Sequence, residues 1–350
     1  MATLRQQLLD LIDRLAPDME RAFLEAVEDI KSEIVLREIV ERLERRDIEG
    51  AIEALHIDEA AFRPLAEALR QAFNQGGALV IQNMPMLRDP LGGRVVLRWS
   101  GDTQRAEAII REQSSALISG VTESVKDAAR EKIADGFAKG QGSQHITLEL
   151  VGRVSRVTGL RTGGILGLTP ALARTVENAR TALLGGDIDG MRHYLTLTRR
   201  DKRFDRTVRK ALRDGTPITP DMVSKITGRL ADSYVKLRGL HISKTETGRS
   251  VNSAQHEAYW QGLEKANRDP GLVTRKWRSA SDRRVRHTHM VLNAQEVTGM
   301  DMPFQSPSGA LMRYPGDDSL GAGANELIGC RCICQYDFDF AEAFARSRGR

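Results

Sequence analysis

Aromatic residues make up only 5% of this 350-residue chain. A core with so few rings must be built from Leu, Ile, Val and Ala, a composition that favours helices. No stretch approaches the ~18 uninterrupted apolar residues of a membrane span, so no membrane partner is expected. The opening Met-Ala-Thr-Leu-Arg-Gln-Gln has no apolar signal core, and secretion is not expected. Cysteine is scarcer still, with 3 in all. An odd count without paired spacing argues against a disulfide framework and for a reducing compartment. Neither sign of charge dominates: the net charge is +5 and the pI about 9.2, which permits contact with nucleic acid without establishing it. With 41% hydrophobic and 28% charged residues, the chain is globular and long enough for two or three domains.

What is present is mostly helical periodicity. Leu4, Leu8, Leu11, Ile12 and Leu15 recur at three and four, with Pro17 expected to end that helix. Phe23, Val27, Ile30, Ile34, Ile39, Val40 and Leu43 continue the stripe. A third helix is expected from near Asp58 through Leu65, Leu69 and Phe73, stopping at Gly76-Gly77. This stripe reads as the core face of a helical bundle. Beyond it, Ala78 to Ile81 and Arg94 to Trp99 read as short strands, and Glu107 to Phe137 as helix again. The glycines from Gly159 to Gly167 lack the spacing of a phosphate-cradling motif and read as a loop between helices.

Arg199, Arg200, Lys202, Arg203, Arg206, Arg209, Lys210 and Arg213 face only Asp201 and Asp205 in the same fifteen positions. On a helix, Phe204, Val208 and Leu212 would share one face and leave the cations around the rest. Such a segment is either a solvated face with i,i+4 pairing or a surface for DNA or an acidic partner. Pro217 and Pro220 mark a boundary, and a further helix through Met222, Ile226, Leu230, Tyr234 and Leu237 leads into the C-terminal region.

There the cysteines concentrate, all inside Cys330-Arg331-Cys332-Ile333-Cys334. Upstream lie Asp282-Arg283-Arg284-Val285-Arg286-His287-Thr288-His289, with Ser281 or Asp282 typed as a helix N-cap. On the following helix Arg286, His289 and Leu292 share a face, and His287 points elsewhere. Pro303 to Met312 reads as a hairpin turning at Ser308-Gly309, and Gly316-Asp317 as a turn. If the cysteine run is extended, its three thiols project to one face. Three readings stand open: thiols packed as small apolar groups against the His289 helix; a tetrahedral zinc site of His289, Cys330, Cys332 and one further group; or a Cys–His nucleophilic pair.

These residues resemble a family, the phage Mu F-type head morphogenesis proteins, which are minor head proteins of tailed phages. The family pattern is Thr-Glu on a helix, then Asp-x-Arg-x-Arg-x-x-His-x-x-Leu, a Phe, a Pro-Gly-Asp turn and Glu-x-x-Asn-Cys-Arg-Cys. Here Thr245-Glu246 matches the opening, and Asp282, Arg284, Arg286, His289 and Leu292 match the centre at full spacing. Phe304, Pro315-Gly316-Asp317, Glu326 and Cys330-Arg331-Cys332 complete it. Gly329 stands where the family usually has Asn and Ala294 where it usually has Gly, while His287 and Cys334 fall outside the pattern. The match covers about the last third of the chain. The Arg199–Asp205 stretch and the helical N-terminus also look like longer family members.

The expected fold is mainly α with α+β parts: a helical N-terminal region over residues 1–76, a helix-rich middle with short strands and the basic segment over 77–215, a small α+β Mu F-like module over 216–340 and a basic tail over 341–350. The resemblance implies a structural protein without catalytic activity, made in the bacterial host cytoplasm and carried in the virion at the portal vertex or capsid interior. Its implied partner is the portal protein, with the scaffold or major capsid protein and DNA as further contacts. Zinc, if bound, is structural. Two alternatives stand: a DNA-binding protein, and a metal-dependent hydrolase or toxin-related effector with Glu326 nominated as base. A fused toxin would need more than the sixteen residues after Cys334, where Phe338, Phe340 and Phe344 suggest a short docking segment.

Overall fold

In the computed structural model, which describes residues 2–338, the protein is 62% helical. The helices are α1 (Leu4–Glu33), α2 (Leu36–Glu44), α3 (Ile48–Glu53), α4 (Arg63–Asn83), α5 (Gln104–Ala138), α6 (Ser143–Val151), α7 (Pro170–Gly185), α8 (Ile188–Thr196), α9 (Asp205–Asp214), α10 (Pro220–Lys265), α11 (His287–Leu292) and α12 (Ala324–Leu327). Strands β1 (Arg153–Val154) and β2 (Arg161–Thr162) form one hairpin. β3 (Val273–Arg278), β4 (Glu296–Thr298) and β7 (Ile333–Phe338) form an antiparallel sheet in the order β4-β3-β7. β5 (Phe304–Gln305) and β6 (Leu311–Met312) form a second hairpin. This is the expected mainly α architecture with small antiparallel sheets toward the C-terminus. Among the described residues, no helix is long and apolar enough to cross a membrane. The expected tail over 341–350, and Phe340 and Phe344 of the expected docking segment, lie outside the described residues.

The chain folds into two compact units built from separated segments: 1–20, 65–115 and 240–350 in one, 21–64 and 116–239 in the other. The first holds the cysteines. Its centre is the last part of α10, where every residue from Ser250 to Tyr259 is buried. A helix buried on all sides is normally apolar, yet this one carries Ser250, Asn252, Ser253, Gln255, His256 and Glu257. Most of these polar groups have partners, as burial requires. The Ser250 hydroxyl donates to the Leu69 carbonyl at 2.9 Å, Asn252 Nδ2 to the Cys332 carbonyl at 3.2 Å, and His256 Nδ1 lies 3.0 Å from the Tyr336 hydroxyl. Leu8, Leu11 and Leu15 of α1 and Ala72 and Val80 of α4 join the same core as Trp277, Phe304, Met312 and Tyr336.

β3 lies at the centre of its sheet and alternates strictly, with Val273, Arg275 and Trp277 buried and the residues between them half-exposed. That period-two pattern puts one face of the sheet into the core. Its pairing with β7 sets Trp277 opposite Cys334. Arg275 is fully buried and donates to the carbonyls of Gly299, Arg313 and Met302. One side chain thus ties the segments after β4, before β5 and after β6 to the sheet.

In the second unit, the glycine-rich stretch is a loop, as expected. Gly163 has φ +72°, and a Cβ there would lie 2.8 Å from the Cα of Gly228. Glycine is needed both for the left-handed backbone and for this close approach. The Gly163 carbonyl accepts from the buried Lys31 ammonium at 2.8 Å, and its N–H donates to Asp232 at 2.7 Å. Lys132, Glu149 and Glu177 form a buried charge network, with Lys132 2.6 Å from Glu177.

Several local expectations fail for identifiable reasons. Pro17 does not end α1, which runs through it. Residues 78–81 are helix rather than strand, because α4 continues through Gly76-Gly77. Those glycines serve packing: a Cβ on Gly76 would sit 3.2 Å from Val251 Cα, and Gly77 faces the Trp99 ring. Arg94 to Trp99 forms no strand, only a single bridge between Arg94 and Arg88. The helices expected on either side of residue 240 are one helix, α10. The basic segment is not one helix either, since Lys202–Phe204 is a 3₁₀ turn and α9 starts at Asp205.

Candidate metal centre and basic cleft

The sequence places His289 on α11 and Cys330 and Cys332 about forty residues later, just before β7. The fold brings them together. His289 Nδ1 lies 3.5 Å from Cys330 Sγ and 3.4 Å from Cys332 Sγ, and all three donor atoms fall within 4.8 Å of one another. His289 and Cys332 are buried, and Cys330 is partly exposed. Cys334 does not join them. The chain becomes a regular strand only at Ile333, and Cys334 is buried in the core with its thiol 3.6 Å from the Gln335 carbonyl. Burial pushes that thiol up to about 12. The expectation of three thiols on one face is therefore corrected to two.

The other imidazole edge faces Glu326, whose Oε2 lies 3.0 Å from Nε2. The contact is close but poorly aligned for a hydrogen bond, so the carboxylate acts on the ring chiefly as charge. Glu326 is itself held by the Thr288 hydroxyl at 2.8 Å and the Ser308 hydroxyl at 2.7 Å. Burial raises its pKa, but these bonds and the neighbouring His289 outweigh that and leave it below the usual carboxylate range. The two neighbouring thiols act on each other: Cys330 holds the Cys332 thiol down, and Cys332, together with burial, drives Cys330 up. The neighbouring Trp277 also helps to hold the Cys332 thiol down.

The remaining motif residues surround this centre. Arg331 grips both oxygens of Asp282. Asp282 is not a helix N-cap as expected: its Oδ1 accepts from the Arg284 N–H at 2.8 Å in a tight turn, and α11 begins only at His287. Arg286, immediately before α11, donates to the carbonyls of Asn325 within α12 and Ile328 at its C-terminal end, and so ties down that short helix. The Thr245 hydroxyl accepts from the Gly329 N–H at 2.9 Å, which anchors the turn before Cys330 on α10. Glu246 lies on the same helix, 3.8 Å from Arg249, and its burial raises its pKa. Buried Asp317 accepts from the N–H groups of Arg313 and Ser319 at 2.8 and 3.1 Å. That closes the turn of buried Pro315 and Gly316, where Gly316 has φ +90° and its missing side chain admits Arg249 Cα. Leu292 and Phe304 are core residues, and Phe304 packs edge-on against Trp277. The Arg284 side chain is exposed and lies 3.7 Å from Asp282, and exposed His287 stands outside the cluster.

Thr288, Ser308, Trp277, Asn252 and Arg275 all support this centre, and sequence reasoning missed them. Only the alternation of β3 could have drawn attention to Arg275 and Trp277. Nothing in the sequence links Thr288 or Ser308 to Glu326.

The basic residues of the second unit divide sharply. Arg200 forms a two-pronged pair with Asp205 at 2.9 Å per bond, both side chains largely buried, so it is structural. Arg203 is bonded to Asp201, and Arg209 lies 3.7 Å from Asp205. Lys202, Arg206 and Lys210 are exposed, and Arg199 is half-buried. Arg203 also lines a cleft of about 580 Å³ with Arg153, Lys225 and Arg229, against Asp221 and Asp232. The cationic surface is thus assembled from the β1–β2 hairpin, the turn before α9 and the start of α10, not from one helix.

Comparison of the chain with protein-family models, curated proteins and solved structures finds no match in any of the three.

Proposed function

We propose that this chain is a structural minor head protein of a tailed phage or prophage, acting in head morphogenesis at the portal vertex or capsid interior. The observation that supports this reading is convergence. The residues on which the resemblance to Mu F-type proteins rests are spread from Thr245 to Cys332, and Thr245, Asp282, Arg286, Glu326 and Arg331 are bonded to or within the short segments that carry His289 and the two cysteines. A chance match to scattered single residues has no reason to fold into one bonded cluster. The module's residues mostly bind backbone carbonyls and N–H groups, which is the work of holding loops in place. That suits an architectural role.

In this reading the protein is made in the bacterial cytoplasm, enters the prohead and binds the portal protein, with the scaffold or major capsid protein as further neighbours. It is not an enzyme. Co-expression with the portal protein of the same phage or prophage tests this: a stable complex is expected, and its absence at all salt concentrations overturns the reading.

The cleft of Arg153, Arg203, Lys225 and Arg229 favours a second contact, with the phosphate backbone of DNA. It gives the head protein a way to touch the packaged genome, and in a DNA-binding protein outside virion assembly it would be the principal site. The second case predicts duplex binding without any portal complex.

A further inference from the structure

We infer that His289 Nδ1, Cys330 Sγ and Cys332 Sγ hold one zinc ion in a tetrahedral site whose fourth position is open to water. The inference is independent of the head-protein reading.

Distance supplies the first argument. With Zn–S near 2.3 Å and Zn–N near 2.0–2.1 Å, the N···S edge of a tetrahedron is about 3.6 Å. The two N···S separations are 3.5 and 3.4 Å. The donors are already placed around a space of the right size for the ion.

Chemistry supplies the second. Two thiols and an imidazole form a set that suits zinc and excludes the oxygen-seeking calcium and magnesium. Were the sulfurs mere apolar filler, the buried imidazole would be expected to find an oxygen for Nδ1. Among the described residues its partners are the two sulfurs.

The surroundings supply the third. A metal-bound imidazole needs its proton on the nitrogen away from the ion, and an outer carboxylate commonly keeps it there. Glu326 stands 3.0 Å from Nε2, not aligned for a hydrogen bond but placed as a negative charge that favours the proton on that nitrogen, and is fixed by Thr288 and Ser308. It is a positioning residue. The same placement argues against the hydrolase alternative, because the carboxylate lies across the imidazole ring from the donor nitrogen and cannot serve as base to water on the ion. Among the described residues no other His, Cys, Asp or Glu completes the set, and Cys334 turns away. Partly exposed Cys330 provides the route by which the ion and its fourth ligand enter.

The test uses the full-length protein, reduced, stripped with a chelator and titrated with cobalt(II) as a spectroscopic stand-in for zinc. One cobalt per chain is expected, with the absorption of tetrahedral thiolate coordination, and zinc should displace it. Cys332→Ser should abolish that absorption, and Cys334→Ser should leave it unchanged. Glu326→Ala should keep the spectrum but weaken affinity at least about tenfold, as loss of an outer-shell partner does. The wild-type spectrum reports thiolate ligation without relying on any variant to fold. Folded wild-type protein that binds no cobalt, or binds it without thiolate absorption, overturns the inference. So does binding that survives Cys332→Ser undiminished.

Discussion

Arg331 donates to both oxygens of Asp282 at 2.6 Å each, joining residues 49 positions apart. The bond from Arg331, reinforced by the Arg284 N–H, holds the Asp282 carboxyl well below the usual range. A depressed carboxyl pKa contributes stability that is present above the unfolded value of about 3.9 and is lost as the pH falls toward the folded value. Asp282→Asn should therefore lower the denaturant midpoint of the full chain at pH 7. The gap to wild type should narrow as the pH falls below about 4. Because the pair is partly exposed, the effect is modest. A gap that stays constant down through acid pH would refute the assignment.

Ala294 follows α11 with φ +69° on an exposed, left-handed backbone. Such a conformation costs a non-glycine residue about 1–2 kcal/mol, partly offset by the greater freedom glycine has when unfolded. Ala294→Gly should stabilise the protein by up to about 1 kcal/mol. Thermal or denaturant unfolding measures this, and a loss of stability would contradict the geometry.

Arg275 is the buried group whose loss should be felt most. Lysine retains the charge but cannot donate to three separate carbonyls in a plane. Arg275→Lys should cost about 2–4 kcal/mol, since it strands acceptors and leaves a charge poorly paired. Trp277, two positions along the strand and fully buried, is expected to report the change through its fluorescence. A loss below about 0.5 kcal/mol, the ordinary surface value, would show that the three bonds do not hold the sheet.

If the basic cleft meets phosphate, Arg229→Ala and Arg153→Ala should each weaken binding to a random-sequence DNA duplex. Each should also lower the salt slope by about one, because one fewer phosphate is neutralised and its counterion is no longer released. Arg200→Ala should act otherwise. It breaks a pair with Asp205 and should lower stability without changing the salt slope. Filter binding or anisotropy across a salt series separates the two. Equal slopes for the wild type and both cleft variants would make the cleft a solvated surface.

Much of the fold was legible in the sequence because helical periodicity is local: the Leu8–Leu11–Leu15 stripe and the α9 face at Val208 depend on neighbours three and four apart. The hairpin at Ser308-Gly309 was legible for the same reason, with Gly309 at φ +84° and its N–H bonded to the Ser306 carbonyl. What misled were residues whose roles are tertiary. Gly76 and Gly77 look like a stop signal, yet they let Val251 and Trp99 approach α4. The polar run from Ser250 to Glu257 looks solvated, yet its partners come from α4, α5 and β7. At the site, the spacing identified His289, Cys330 and Cys332, but only the fold could show that Cys334 is excluded and that Glu326 lies on the far edge of the imidazole. The two departures from the Mu F-type pattern that the chain resembles both fall on left-handed backbone, at Gly329 with φ +67° and at Ala294. Glycine and asparagine are the residues that tolerate that conformation best. Gly329 therefore replaces Asn without strain, and Ala294 replaces Gly at a cost.

The most direct test of the central claim is co-purification of the full-length chain with the portal protein encoded by the same phage or prophage, at moderate and at high salt. A stable complex that survives high salt is the predicted result. Failure to form a complex at any salt, from two folded proteins, would contradict the head-assembly role and leave DNA binding through the cleft as the surviving reading.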